Sequence, residues 1–226
     1  MQQAKEANRM YAARTVSISG PENPLNKYDS IGYWHNRILD YVQTYNIATD
    51  TPDVRASTES VIKFYREERG LEVPEAFFST VKQTIDDREN DFRHVIATCP
   101  YPGHVKAALD SLIAMLKRLS DNGSDYNAIK GSITAFEDNI ILDVSLVETD
   151  RAIILKTASV ARYSIYYWIN ILPSDPPSGR AFKFKNIVKW IAAVTSDIGG
   201  AIVSGNAGYA ADCSSYAYDL VTYSMP

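Results

Sequence analysis

An all-α, single-domain bundle of about six to eight helices is the fold class this sequence predicts. Apolar residues recur at intervals of three and four over most of the chain, which is the helical period. Proline and glycine cluster at a few breaks rather than inside these runs. No pair of alternating strands is visible; "NIILDVSL", residues 139–146, is the strand candidate, and it suits a helix equally well. No repeat of fixed period is present, which argues against a solenoid. With 226 residues, 46% of them hydrophobic, the chain can bury its own core without a metal or disulfide staple.

Residues 1–27 contain the turn-rich "SGPENPLNK" and read as an irregular N-terminal arm, leaving 28–226 as the helical domain. The first helix is expected from Ser30 to Tyr45, capped by Asp29 or Ser30. A second follows Pro52 and stops at Gly70, with Val54, Val61, Ile62 and Tyr65 on its apolar face. A third starts at Pro74, a favoured first-turn residue, and carries Phe77, Phe78, Val81 and Ile85. These three are expected to pack as antiparallel neighbours. "CPYPG" at 99–103 forces a break, and a helix resumes from His104 to Leu119. "SDNGSDY" turns the chain into a helix over about 125–139, and a long one spans 145–172. "LPSDPPSG" is a loop, and Phe182 to Tyr223 is a final helical region.

The formal charge of -4 is spread along the chain with no basic block, so nucleic acid is not an expected partner. Apolar stretches are interrupted by charge, as at Lys156 and Arg162, and no transmembrane segment is expected. Fifteen tyrosines against seven phenylalanines favour aromatic bodies buried with their hydroxyls reaching a partner or water. Cys99 and Cys213 match no zinc or redox spacing; a disulfide and two buried thiols both fit.

"YDSIGYWHNRILDYVQTY", residues 28–45, holds the most informative polar residues. On a helical wheel Ile31, Trp34, Ile38, Leu39, Tyr41, Val42 and Tyr45 share one apolar arc. His35 falls inside that arc, and Asn36 lies at its edge in line with Gly32 and Asp40. The favoured reading is a core histidine held by neighbouring helices, with Gly32 admitting a close backbone. The competing reading is a pocket in which His35 acts as base or ligand, oriented by Asn36 and Asp40. Asp29, Gly32, Trp34, His35, Asn36 and Asp40 are therefore the candidate binding residues.

The run "NPLNKYDSIGYWHNRILDYV", residues 23–42, resembles the opening motif of a group of uncharacterised, often secreted or lipid-anchored bacterial proteins common in Bacteroidetes. Asn23, Pro24, Asp29, Gly32, His35, Asn36, Leu39, Asp40 and Tyr41 occupy the motif positions, about a tenth of the chain. A looser likeness continues in "WIAAVTSDIGGAIVSGNAGYAA". The resemblance implies an extracytoplasmic helical protein and assigns no reaction. The polar first twenty residues carry neither a signal peptide's apolar run nor a lipobox, so a cytoplasmic location stays beside that expectation.

The tail "DIGGAIVSGNAGYAADCSSY" places Gly200, Ser204 and Gly208 on one helical face, and Ala201 and Gly205 on another. Each glycine costs about 1 kcal/mol of helix propensity against alanine, so close helix packing is the expected compensation. A membrane-active glycine zipper and an anion-binding loop are the competing readings. The acidic pairs Glu67-Glu68, Asp86-Asp87 and Glu137-Asp138 read as solvated helix surface. Tyr163, Tyr166, Tyr167 and Trp168 cover more than one face; core packing is favoured over a ligand platform.

No nucleophile elbow, zinc-protease helix, dinucleotide fingerprint or phosphate loop is present. No catalytic residue, metal site or cofactor is expected. The leading expectation is a binding or assembly protein of the cell envelope or exterior, whose protein or envelope ligand the sequence does not name. A hydrolase using His35 and a bacteriocin-like or immunity protein using the glycine-rich helix are the alternatives.

Overall fold

The computed structural model describes residues 19–46, 54–70 and 96–171, and within them the protein is an all-α multi-helix bundle with no strand. The helices are α1 (Ser30–Asn46), α2 (Val54–Arg69), α3 (Gly103–Asp121), α4 (Tyr126–Leu142) and α5 (Glu148–Ile171). The helix expected from Pro74, the 172–179 loop and the glycine-rich tail lie outside the described residues, as do Asp86-Asp87, His94 and Cys213.

Each boundary has a local cause. Pro102 precedes α3 and Asn122 ends it, with Gly123 at φ 65° completing the turn, a conformation that favours glycine. Asp125 caps α4 by accepting the Ala128 N–H at 2.8 Å, satisfying one of the donors a helix start leaves open. The strand candidate at 139–146 is the last turn of α4 and the link beyond it. There the Arg151 guanidinium donates to the carbonyls of Ile140, Asp143 and Leu146, so a side chain supplies the donors that a continuing helix would have given. Glu148 and Asp150 occupy the first turn of α5, where negative charge suits the helix dipole.

Helix α5 is the axis of the bundle: it packs against α1, α3 and α4, while α2 lies on the far side of α1. From Thr157 through Ile165 every residue is buried, which is the pattern of a helix enclosed on all sides. Its Ile154, Ala158, Ala161, Ile165 and Trp168 share one apolar core with Ile38 and Leu39 of α1, Leu109 and Leu112 of α3, and Ile129 and Ile133 of α4. Phe64 of α2 meets Trp34 and Tyr41 of α1 edge-on at 6.4 and 5.3 Å, and the Tyr41 hydroxyl donates to Glu67 at 2.8 Å.

Helices α4 and α5 run antiparallel, because Tyr126 meets Tyr166 at one end while Ile140 meets Arg151 at the other. Helix α1 instead runs parallel to α5. The Gly32 N–H donates to Ser159 Oγ and Asn36 Nδ2 donates to the Tyr163 carbonyl, both across 127 residues. Asp40 and Tyr167 interact at the same offset. Three contacts in one register, each one turn after the last, fix the two helices side by side.

Candidate functional site

Gly32 decides how close α1 and α5 come. A Cβ there would lie 2.4 Å from Tyr163 Cδ2 and 2.6 Å from the Ser159 carbonyl oxygen, so no larger residue fits without parting the helices. Ser159 Oγ, which accepts from Gly32, donates in turn to the Asp29 carbonyl at 2.9 Å. The seam is thus stitched through backbone groups.

At its N-terminal end the seam holds a buried polar cluster. Arg162 and Glu137 are both fully buried. The guanidinium donates to the two Glu137 oxygens at 3.0 and 3.2 Å and to Asp29 Oδ1 at 2.5 Å. Asn23 and Asn26 complete Glu137 with amide donors at 2.6 and 2.8 Å; Asn26 also donates to the Leu155 carbonyl at 3.0 Å. Tyr163 donates to the other Asp29 oxygen at 2.9 Å. Burial works against the Arg162 charge, but Glu137 and Asp29 outweigh it and raise its pKa. Burial, then the Asp29 carboxylate, push the Tyr163 phenol up.

One expectation changes here. Glu137 is not solvated surface: the partner that allows a carboxylate to be buried comes from a different helix. Asp29 stands directly before α1 and its carbonyl receives the Tyr33 N–H, while its carboxylate pairs with Arg162 of α5. Residues 21–29 are irregular, as expected of that segment, with Asn23 and Asn26 almost wholly buried against the helices.

The other candidate residues separate. His35 is 0% exposed, and its Nδ1 lies 2.9 Å from Asn36 Oδ1. Because the Asn36 amide nitrogen donates to Tyr163, its oxygen faces the ring, which places the proton on Nδ1. His104 pairs with Asp150 at 2.6 Å, about 20 Å along α5 from the level of Asn36. Trp34 packs against Phe64 and Tyr33. Cys99 is a buried free thiol donating to the Ile96 carbonyl. Among the described residues no group of three or more metal-ligating side chains forms, and no helix is long and apolar enough to cross a membrane.

One turn further along the same seam lies a cleft of about 370 Å³, within the range of small-molecule sites. Helix α1 contributes Tyr33, Asn36, Arg37 and Asp40; α5 contributes Tyr163, Tyr166, Tyr167 and Asn170; Pro21 and Glu22 close one end. Each helix supplies residues at i, i+3, i+4 and i+7, a single face. Glu22 acts on Tyr163, and Asp40 sits one turn later beside Tyr167. Partial burial raises the Asp40 carboxyl above its ordinary range, opposed by Arg37 and the Tyr167 hydroxyl.

No family model, curated protein or solved structure matches the chain.

Of the candidate residues, Asn36 and Asp40 reach the cleft, whereas Asp29, Gly32 and His35 serve the packing beside it. Glu22, Tyr33, Arg37 and Asn170 were not singled out in the sequence. For Tyr33, Arg37 and Asn170 the signal was the matched spacing 33, 36, 37, 40 and 163, 166, 167, 170 on helices whose pairing the sequence does not declare; Glu22, before α1, carried none.

Proposed function

We propose that the protein acts by binding rather than catalysis, and that the cleft between α1 and α5 is where it binds. The observation that supports this is the composition of the cleft: four tyrosines, two asparagines and three charged side chains, with the histidine of the same helix turned into the core. A hydrolase built on His35 would need that ring to meet a substrate, and its full burial beside Asn36 speaks for a structural role. The resemblance of residues 23–42 to secreted and lipid-anchored bacterial proteins supports placing this activity outside the cytoplasm, toward an envelope or exterior ligand.

The test is a thermal-shift screen of the full chain against a mixed library of polar metabolites, amines, organic acids and sugars, repeated with Tyr33→Ala and Arg37→Ala. Both residues are exposed, so the variants are expected to fold. A ligand that stabilises the parent chain and not the variants is the expected result. Ligands that stabilise all three proteins equally, or that are turned over, would sink the reading.

A further inference from the structure

We propose that Asn122 is a self-modification site, deamidating through the backbone nitrogen of the glycine that follows it, with the last turn of α3 as the gate. Asn122-Gly123 is the one Asn-Gly pair in the chain. Both residues are exposed, and a Cβ built on Gly123 would meet no atom of the described residues within 4 Å. The glycine nitrogen is therefore crowded neither by a side chain of its own nor by a neighbour. The step consumes only water. Gly123 N loses its proton to solvent base and its electron pair forms a bond to Asn122 Cγ; the Cγ–Nδ2 bond breaks and ammonia leaves. Water then opens the succinimide at either carbonyl, which leaves a carboxylate at position 122 and a chain that continues through the α- or the β-carbonyl.

The folded turn opposes both requirements of the attack. The Gly123 N–H donates to the Ser120 carbonyl at 2.9 Å, which holds the proton that must leave. Asn122 stands at ψ −1°, so the Gly123 nitrogen eclipses the Asn122 nitrogen, whereas ring closure requires it to eclipse Cβ. The Asn122 N–H donating to the Arg118 carbonyl at 3.1 Å and the Ser124 N–H donating to the Leu119 carbonyl at 2.9 Å keep this geometry. Reaction waits on opening of the turn, and helix ends open at far lower cost than a domain unfolds. The product then weakens the gate. A carboxylate at position 122 adds negative charge at the C-terminus of α3, where the helix dipole is already negative, between the exposed Asp121 and Asp125. The β-linked form also lengthens the backbone between α3 and Asp125, whose carboxylate caps α4.

The experiment ages the full chain at mildly alkaline pH, folded and in denaturing urea. Products at each asparagine are mapped by peptide mass spectrometry with aspartyl and isoaspartyl forms resolved. Position 122 is expected to react first in both states, and about tenfold or more slowly in the folded chain. Asn127, which precedes Ala128 inside α4, is the neighbouring comparison and should stay intact over the same period. Little or no product at position 122 in the denatured chain would overturn the site. Equal rates in the two states would overturn the gate. A folded-state rate that follows the global unfolding equilibrium through low urea would overturn local opening of this turn as its basis. Asn122→Asp, which carries the product charge on an unaltered backbone, is expected to lower the denaturation midpoint slightly. An unchanged midpoint would overturn the claim that the new charge weakens the turn.

Discussion

The buried cluster around Arg162 ties α5 to α4 and to the segment before α1, the open cleft around Tyr167 lies about one turn further along α5 against α1, and the two differ in how far their polar groups are sealed from water. In the cluster Asp29, Glu137, Asn23 and Asn26 are committed to protein partners. In the cleft Glu22, Arg37 and Asp40 are exposed, beside four tyrosines of which Tyr163 and Tyr167 are almost wholly buried. Polar residues in a helical seam thus divide by depth: those sealed from water pair chiefly with protein groups, and those at the mouth, Asp40 beside its Tyr167 partner among them, keep a side open to solvent. The motif around His35 belongs mostly to the sealed part.

The largest effect expected from breaking this division is at Glu137. Glu137→Ala leaves Arg162 buried with Asp29 as its remaining partner and takes one hydrogen-bond acceptor from each of the Asn23 and Asn26 amides, Asn26 keeping the Leu155 carbonyl. A loss of about 3–5 kcal/mol is expected, read as a lower midpoint in chemical denaturation. That is a large share of the about 5–15 kcal/mol a domain of this kind holds in total.

Gly32→Ala comes next. The added methyl meets Tyr163 and the Ser159 backbone, which cannot both yield, so a loss of about 1–3 kcal/mol is expected. Because the cleft lies on the same seam, this variant should also weaken cleft ligands at temperatures where it is still folded. Unchanged affinity beside lowered stability would show that the two regions are mechanically independent.

Asp40→Asn should behave in the reverse manner. Its carboxyl is raised by burial, so the folded chain holds that proton more tightly than the unfolded chain. The linked stability is therefore present at acid pH and declines as pH rises through the raised pKa. The asparagine variant should match or slightly exceed the parent in stability at neutral pH while binding less, the signature of a residue kept for recognition.

The smallest effect is at Glu148, held to about 2 by hydrogen bonds from Lys27 and Tyr28 and by Arg151. Its contribution is present above the unfolded pKa and is lost as pH falls from the ordinary carboxylate range towards 2. Glu148→Gln should flatten that acid limb slightly, as exposed pairs contribute little. Denaturation followed at several acid pH values would show whether the limb belongs to this residue.

What could be read from the sequence depended on how local its cause was. Asp125 before α4 and the "CPYPG" break were legible because capping and proline geometry act within a few residues. Gly32 was legible as a point of close approach, and His35 as a residue inside the apolar arc, because a helical wheel needs only one helix. Glu137 was misread as surface because its partners stand 25 residues later and more than 100 residues earlier in the chain. The strand candidate was ambiguous because Arg151, which completes the end of α4, lies beyond the window in which a period is counted.

The sequence by itself determined the all-α class, most helix boundaries among the described residues and the placing of Gly32, Asn36 and Asp40 in one line at the edge of the apolar arc, since period and capping are properties of short segments. Only the tertiary structure decided that residues 33, 36, 37 and 40 of α1 meet 163, 166, 167 and 170 of α5 in one parallel register, that Arg162 could be buried, and that the tyrosines line a cleft. Pairing between distant segments is set by which surfaces exclude water together and which charges then find partners, and neither is written in the residues of one helix alone.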